Sequence, residues 1–152
     1  MDIFNPDFRD FINCLNRHHV QYMLVGGYAV ILRGYSRSTG DMDIWVNKTS
    51  DNFKSLLNAI TEFGLPVAAV PEQQFFSDQF YVFSFGRPPY AIEILTALKG
   101  ISSFAEAYQL STIEAVDDFN VRVIHLKHLL LSKEAANRYK DKNDIENLPS
   151  IE

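Results

Sequence analysis

The run Val25–Val46, VGGYAVILRGYSRSTGDMDIWV, constrains the fold more than any other stretch of the chain. An apolar strand, Gln21 to Gly26, runs into the pair Gly26-Gly27, and a short apolar helix, Tyr28 to Leu32, follows. After a loop holding Arg33, Ser36, Arg37, Ser38, Thr39 and Gly40, Asp41-Met42-Asp43 leads a second apolar strand, Ile44-Trp45-Val46. Paired glycines let the backbone turn sharply and come close to a ligand. A helix starting there offers free N–H groups and a positive dipole end, which together attract anions. Side chains alternate along a strand, so Asp41 and Asp43 face one point if both lie on it. Two carboxylates that close repel unless a cation lies between them or one holds a proton. Hard oxygen donors of this kind suit Mg²⁺ or Mn²⁺. A phosphate cradle and a carboxylate pair, with thirteen residues between them, are the two parts that phosphoryl-type transfer requires.

Each residue also has a plainer reading. Asp41 beside Gly40 is compatible with turn chemistry, and Asp43 with a solvated strand position. Against this, Ile44-Trp45-Val46 continues as a buried-looking strand, where unpartnered acids are costly. Arg33 and Arg37 are either surface arginines or phosphate ligands, for which the planar guanidinium is well shaped. Ser36, Ser38 and Thr39 offer hydroxyl donors to phosphate or local turn bonds. Trp45 reads as core or pocket wall.

The pattern resembles the DNA polymerase β-like nucleotidyltransferase superfamily, whose signature is an apolar residue, Gly, Gly or Ser, a spacer, and Asp-x-Asp between apolar residues. Here it reads Val25-Gly26-Gly27 and Asp41-Met42-Asp43-Ile44. The wording is most like small bacterial and archaeal enzymes of that superfamily, toxin-type nucleotidyltransferases included. The resemblance implies an α/β (α+β) fold, a mixed twisted sheet flanked by helices, and a third carboxylate on a later strand. Glu93, in Tyr90-Ala91-Ile92-Glu93-Ile94-Leu95, is the candidate, with Glu where the family more often has Asp. It further implies two Mg²⁺ (or Mn²⁺) ions on Asp41, Asp43 and Glu93, and phosphate binding by Gly26, Gly27, Arg37, Ser38 and Thr39. The C-terminal stretch Lys133-Glu134-Ala135-Ala136-Asn137-Arg138-Tyr139-Lys140-Asp141 is similar to a family segment whose basic residues approach the nucleotide, which adds Lys133 and Arg138. The implied reaction moves a nucleoside monophosphate from an NTP, ATP foremost, to an acceptor hydroxyl. The acceptor stays open among protein, RNA and small molecule, and the partners among an antitoxin and a second copy of the chain. The alternatives are an aminoglycoside- or lincosamide-type drug transferase, and a catalytically silent nucleotide-binding or interaction module.

The rest of the chain gives the frame. At 152 residues with 47% hydrophobic content it reads as one domain, 1–152, able to bury a core without disulfides. A single cysteine, Cys14, leaves no partner for an internal disulfide and suits a reducing cytosol. Neither a signal peptide nor an apolar run of membrane-spanning length is visible, so a cytoplasmic location is expected. A net charge of −5 argues against broad non-specific nucleic-acid binding.

Periodicity predicts a helix over Met1–His19, capped at Asn5-Pro6, and another after Thr49-Ser50 that stops at Gly64. A short strand is expected over Val67–Val70, then a polar loop, Pro71–Asp78, that holds Phe75-Phe76. Gln79–Phe85 and Tyr90–Leu95 read as a hairpin. Ser102-Ser103 caps a short helix, and Asp117-Asp118 turns between strands Thr112–Val116 and Asn120–Ile124. A last long helix is expected over His125–Tyr139, with a short one over Asn143–Leu148. On that reading Lys133 and Arg138 share a helix, and Asp141 and Asp144 cap or support its successor. His18-His19, adjacent on a helix end, do not face one point.

Overall fold

The computed structural model describes residues 4–87 and 89–150. Positions 1–3 and 88 of the readings above lie outside them. Helix α1 (Pro6–Arg17) starts where expected, because the Asn5 side chain accepts from the Phe8 N–H and Pro6 occupies the first turn. Strand β1 (Tyr22–Val25) leads directly into α2 (Gly26–Leu32), so the helix begins at the first glycine rather than at Tyr28. Strand β2 (Met42–Val46) starts one residue after Asp41. Helix α3 (Ser50–Phe63) is capped by the Thr49 hydroxyl and ended by Gly64 at φ 108°.

Val67–Ala69 is a 3₁₀ turn, not the expected strand. Ala69 and Val70 donate to Pro66 and Val67 three residues back, so local bonds take the place of a cross-strand ladder. The next loop contains a short helix, α4 (Glu72–Phe75), whose Phe75 is fully buried against Phe53. That residue builds core. Strands β3 (Val82–Phe85) and β4 (Ile92–Leu95) form the expected hairpin. Helix α5 (Phe104–Leu110) is capped by Ser103, and β5 (Thr112–Val116) and β6 (Phe119–Val123) pair through the turn at Asp117.

The last helical region divides where the sequence predicts continuity. Helix α6 (Leu126–Ala136) ends at Asn137, which adopts φ 53° and donates to the Lys133 carbonyl. Arg138 is extended and caps α7 (Tyr139–Asn147), so the final helix starts four residues before Asn143.

The six strands make one mixed, twisted open sheet in the order β3-β4-β2-β1-β6-β5. Strands β2 and β4 are parallel neighbours, as are β1 and β6; the other pairs are antiparallel. One face of the sheet's middle, Met42, Ile44, Val46, Ile92, Ile94, Phe83 and Phe85, is wholly buried. The other carries Val25, Asp43, Trp45, Glu93 and Leu95, and there Trp45 meets Phe104 of α5 edge-on at 5.0 Å. Among the described residues no helix is long and apolar enough to cross a membrane.

Candidate active site

Parallel pairing of β2 with β4 sets Asp43 beside Glu93 in register. The alternation that buries Ile44 and Ile94 on one face turns both acids to the other. Asp43 also pairs across β1 with Val25, the residue before the glycines. Three segments far apart in sequence thereby meet at one carboxylate. Gly26 sits at φ 69°, and a Cβ there would overlap the Asp43 carboxylate. A Cβ on Gly27 would overlap the Thr39 side chain. Both glycines are therefore dictated by close approach, Gly26 by its backbone angle as well. Helix α2 has no side-chain cap on its first turn, which leaves its leading N–H groups for another acceptor.

Burial pushes the Asp43 carboxyl up to about 8, with the hydrogen bond to Glu93 and the charges of Glu93 and Asp41 acting in the same direction and Lys133 against it. Its Oδ1 is buried without a hydrogen-bond partner. Two acids forced together, one retaining a proton and one oxygen orphaned, form a place that a cation would suit. Asp41 lies just off the strand, and its Oδ1 accepts from the Ala91 N–H at 3.1 Å. Among the described residues no three His, Cys, Asp or Glu side chains enclose a ready-made metal cage. The donor set fits Mg²⁺, which is commonly held by one or two carboxylates together with substrate phosphates.

A cleft of about 390 Å³ opens over this centre. Gly26, Gly27, Thr39, Asp41, Asp43 and Glu93 line it with four cations, Arg37, Lys133, Arg138 and Lys140. Of the residues that the resemblance assigns to metal or phosphate, all line it except Ser38; Ser38 is exposed, and its carbonyl accepts from Arg37 at 2.9 Å. Arg33 turns away altogether, donating to the Val123 and Ile124 carbonyls and to Glu114. It clamps β5 and β6 to the end of α2 and has no place in the cleft.

Lys133 and Arg138 do reach one cleft, but from different helices. Lys133 is 6% exposed and lies between Asp141 at 3.2 Å and Asp144 at 3.0 Å. Arg138 donates to Asp141 through Nε at 2.6 Å, and Arg37 grips Asp144 through Nε and Nη2 at 2.7 and 2.9 Å. Asp141 and Asp144 are both fully buried. Two aspartates one turn apart on α7 thus hold three cations from three segments at the cleft. Sequence reasoning gave those acids a capping role and missed this one, along with Lys140. The available signal was their i, i+3 spacing, which puts them on one helix face.

The chain belongs, over residues 8–151, to the family described as Nucleotidyltransferase of unknown function (DUF6036). The mixed sheet and flanking helices agree with a nucleotidyltransferase fold. No curated protein matches the chain.

Proposed function

We propose that the protein is a Mg²⁺-dependent nucleotidyltransferase that moves a nucleoside monophosphate from an NTP to an acceptor hydroxyl. The observation that carries this is the in-register pairing of Asp43 with Glu93 directly over Gly26. It puts a paired-carboxylate centre and a glycine phosphate cradle in contact. Backbone N–H groups of Gly26 and Gly27, with Arg37, Lys133, Arg138 and Lys140, bind the triphosphate. Asp41, Asp43 and Glu93 hold the divalent ions, two by analogy with the superfamily; bound ions neutralise phosphate charge and lower the pKa of the attacking hydroxyl. The acceptor oxygen bonds to the α-phosphorus as the bond to the α,β-bridging oxygen breaks. Pyrophosphate leaves with the electron pair, and Glu93 takes the hydroxyl proton. Four cations beside the acids weigh against a polycationic drug as acceptor.

The test is transfer of label from each α-labelled NTP, ATP first, to cell extract in the presence of Mg²⁺. Label should appear with the native protein and vanish with Asp43→Asn. If neither transfer nor Mg²⁺–NTP binding by calorimetry is found, the reading falls and a silent module replaces it.

A further inference from the structure

A second groove, about 280 Å³, borders the same acids. It shares Gly26, Asp43, Glu93, Lys133 and Arg138 with the triphosphate cleft. Beyond them its lining is mainly apolar, with Phe80, Val82, Leu95, Ala97 and Leu98, together with Lys99. Resting on the transfer reaction proposed above, we propose that this groove is the acceptor subsite, and that it takes an uncharged or anionic acceptor through the flat face of a ring adjoining the reactive hydroxyl.

Strand β3 lies at an edge of the sheet. Its inward positions, Phe83 and Phe85, are buried, as the sheet requires, yet its outward side carries Val82, 41% exposed, preceded by Phe80 at 60%. Large apolar side chains on the open side of an edge strand are normally avoided. Register ties them to the chemistry. Ser84 pairs with Glu93 and Val82 with Leu95, so the apolar strip starts two residues, roughly 7 Å, along the sheet from the reacting carboxylate. On α6 the groove is lined by Ser132, Lys133 and Ala136, so two of the three α6 positions carry small side chains. That wall is fixed. Gly100 packs so closely that a Cβ there would lie 2.7 Å from the Ala135 Cβ and 2.9 Å from the Leu131 carbonyl oxygen, locking the loop with Ala97–Lys99 onto α6. The volume is below that of pockets for drug-sized ligands and suits one ring system. The phosphates need the glycine cleft, and in-line attack brings the acceptor from the side away from the leaving pyrophosphate.

The experiment follows the methyl resonances of Val82 and Leu95 in the full-length protein, held with Mg²⁺ and an α,β-methylene ATP analogue, during titration with three probes. 2-Phenylethanol represents a ring alcohol, 1,4-butanediol a ring-free one and spermidine a polycation. The ring alcohol alone should give saturable shifts at Val82 and Leu95 but none at Val30. Phe80→Ala should abolish them and Phe80→Tyr retain them. In extract labelling, Phe80→Ala should lower transfer at limiting acceptor about tenfold while the KM for NTP stays constant. Spermidine shifts, equal response to both alcohols, or no response would overturn the proposal. So would an analogue that moves the two methyls by itself and binds Phe80→Ala more weakly, since the groove would then hold the nucleobase. Failure of the analogue to bind anywhere would instead defeat the transferase reading.

Discussion

Replacing Asp141 by Asn should destabilise the protein by about 2–4 kcal/mol, and the structure supplies the estimate in two ways. Burial pushes the Asp141 carboxyl up, but hydrogen bonds from the Arg138 side chain and backbone and from Lys133 outweigh it and hold the group at about 2 against an ordinary 3.8. At about 1.4 kcal/mol per pKa unit, that difference is worth about 2 kcal/mol of folding stability. The variant also leaves Lys133, 6% exposed, with one carboxylate instead of two, and breaking a buried pair typically costs ~3–5 kcal/mol. The sign of the pH dependence follows from the depressed value. The contribution is complete above the unfolded pKa and is lost as the pH falls from about 4 towards about 2. Asp144, also lowered, although burial alone would raise it, by hydrogen bonds from Arg37 and Lys133, has the same sign. Urea unfolding followed by the fluorescence of Trp45, the single tryptophan, measures both quantities. Native protein should lose stability steeply in that acid window, and Asp141→Asn should start lower and show a shallower loss. Lys133→Met added to Asp141→Asn should recover part of the deficit, since it removes the charge left under-paired. A single variant within about 0.5 kcal/mol of native protein, or one keeping the full acid slope, would refute the claim that this cluster is a buried, mutually dependent unit.

Gly26→Ala should cost about 1–2 kcal/mol for a left-handed backbone and displace the Asp43 carboxylate, so Mg²⁺–NTP binding by calorimetry should be lost while the chain remains folded by circular dichroism. Because Asp43 is raised to about 8, binding of Mg²⁺ near pH 7 should release close to one proton, and release should fade as the pH passes about 8; calorimetry in buffers of different ionisation heat reads this directly, and pH-independent binding would contradict it. Without the ion the sign is opposite to that of Asp141: the native state holds the extra proton, so this group's contribution to stability should decline as the pH rises from about 4 to about 8. Arg33→Met should destabilise the protein through the β5–β6 clamp yet leave NTP affinity unchanged, whereas Arg37→Met should weaken NTP binding.

What could be read from the chain, and what could not, divides by the kind of contact that fixes each residue. Asp43, Glu93 and Gly26 were legible because period-two alternation within single strands, together with a glycine pair at a strand end, already constrains where such residues point. The parallel β2–β4 pairing then only had to bring the strands together. The caps Asn5, Thr49 and Ser103 were legible for the same reason, since each bonds three residues onward. Val67–Val70 misled because two β-branched residues between prolines satisfy strand propensity, while the local bonds from Ala69 and Val70 back to Pro66 and Val67 set a 3₁₀ turn instead. The break at Asn137 was hidden because Lys133–Lys140 has good helical propensity; a left-handed cap ends the helix where α7 must dock. Lys133 is the most instructive case. Lysine is rarely buried unless paired, and nothing local marks it as an exception. Its burial makes sense only with Asp141 and Asp144 on a separate helix, and that of Asp144 only with Arg37, 107 residues earlier. Asp43 and Glu93 are thus positioned by strand geometry, whereas Arg37, Lys133 and Arg138 are positioned by Asp141 and Asp144 on α7. A relative could keep the Gly-Gly and Asp-x-Asp signature while losing the docked α7, and its nucleotide affinity would fall with no change in the motif.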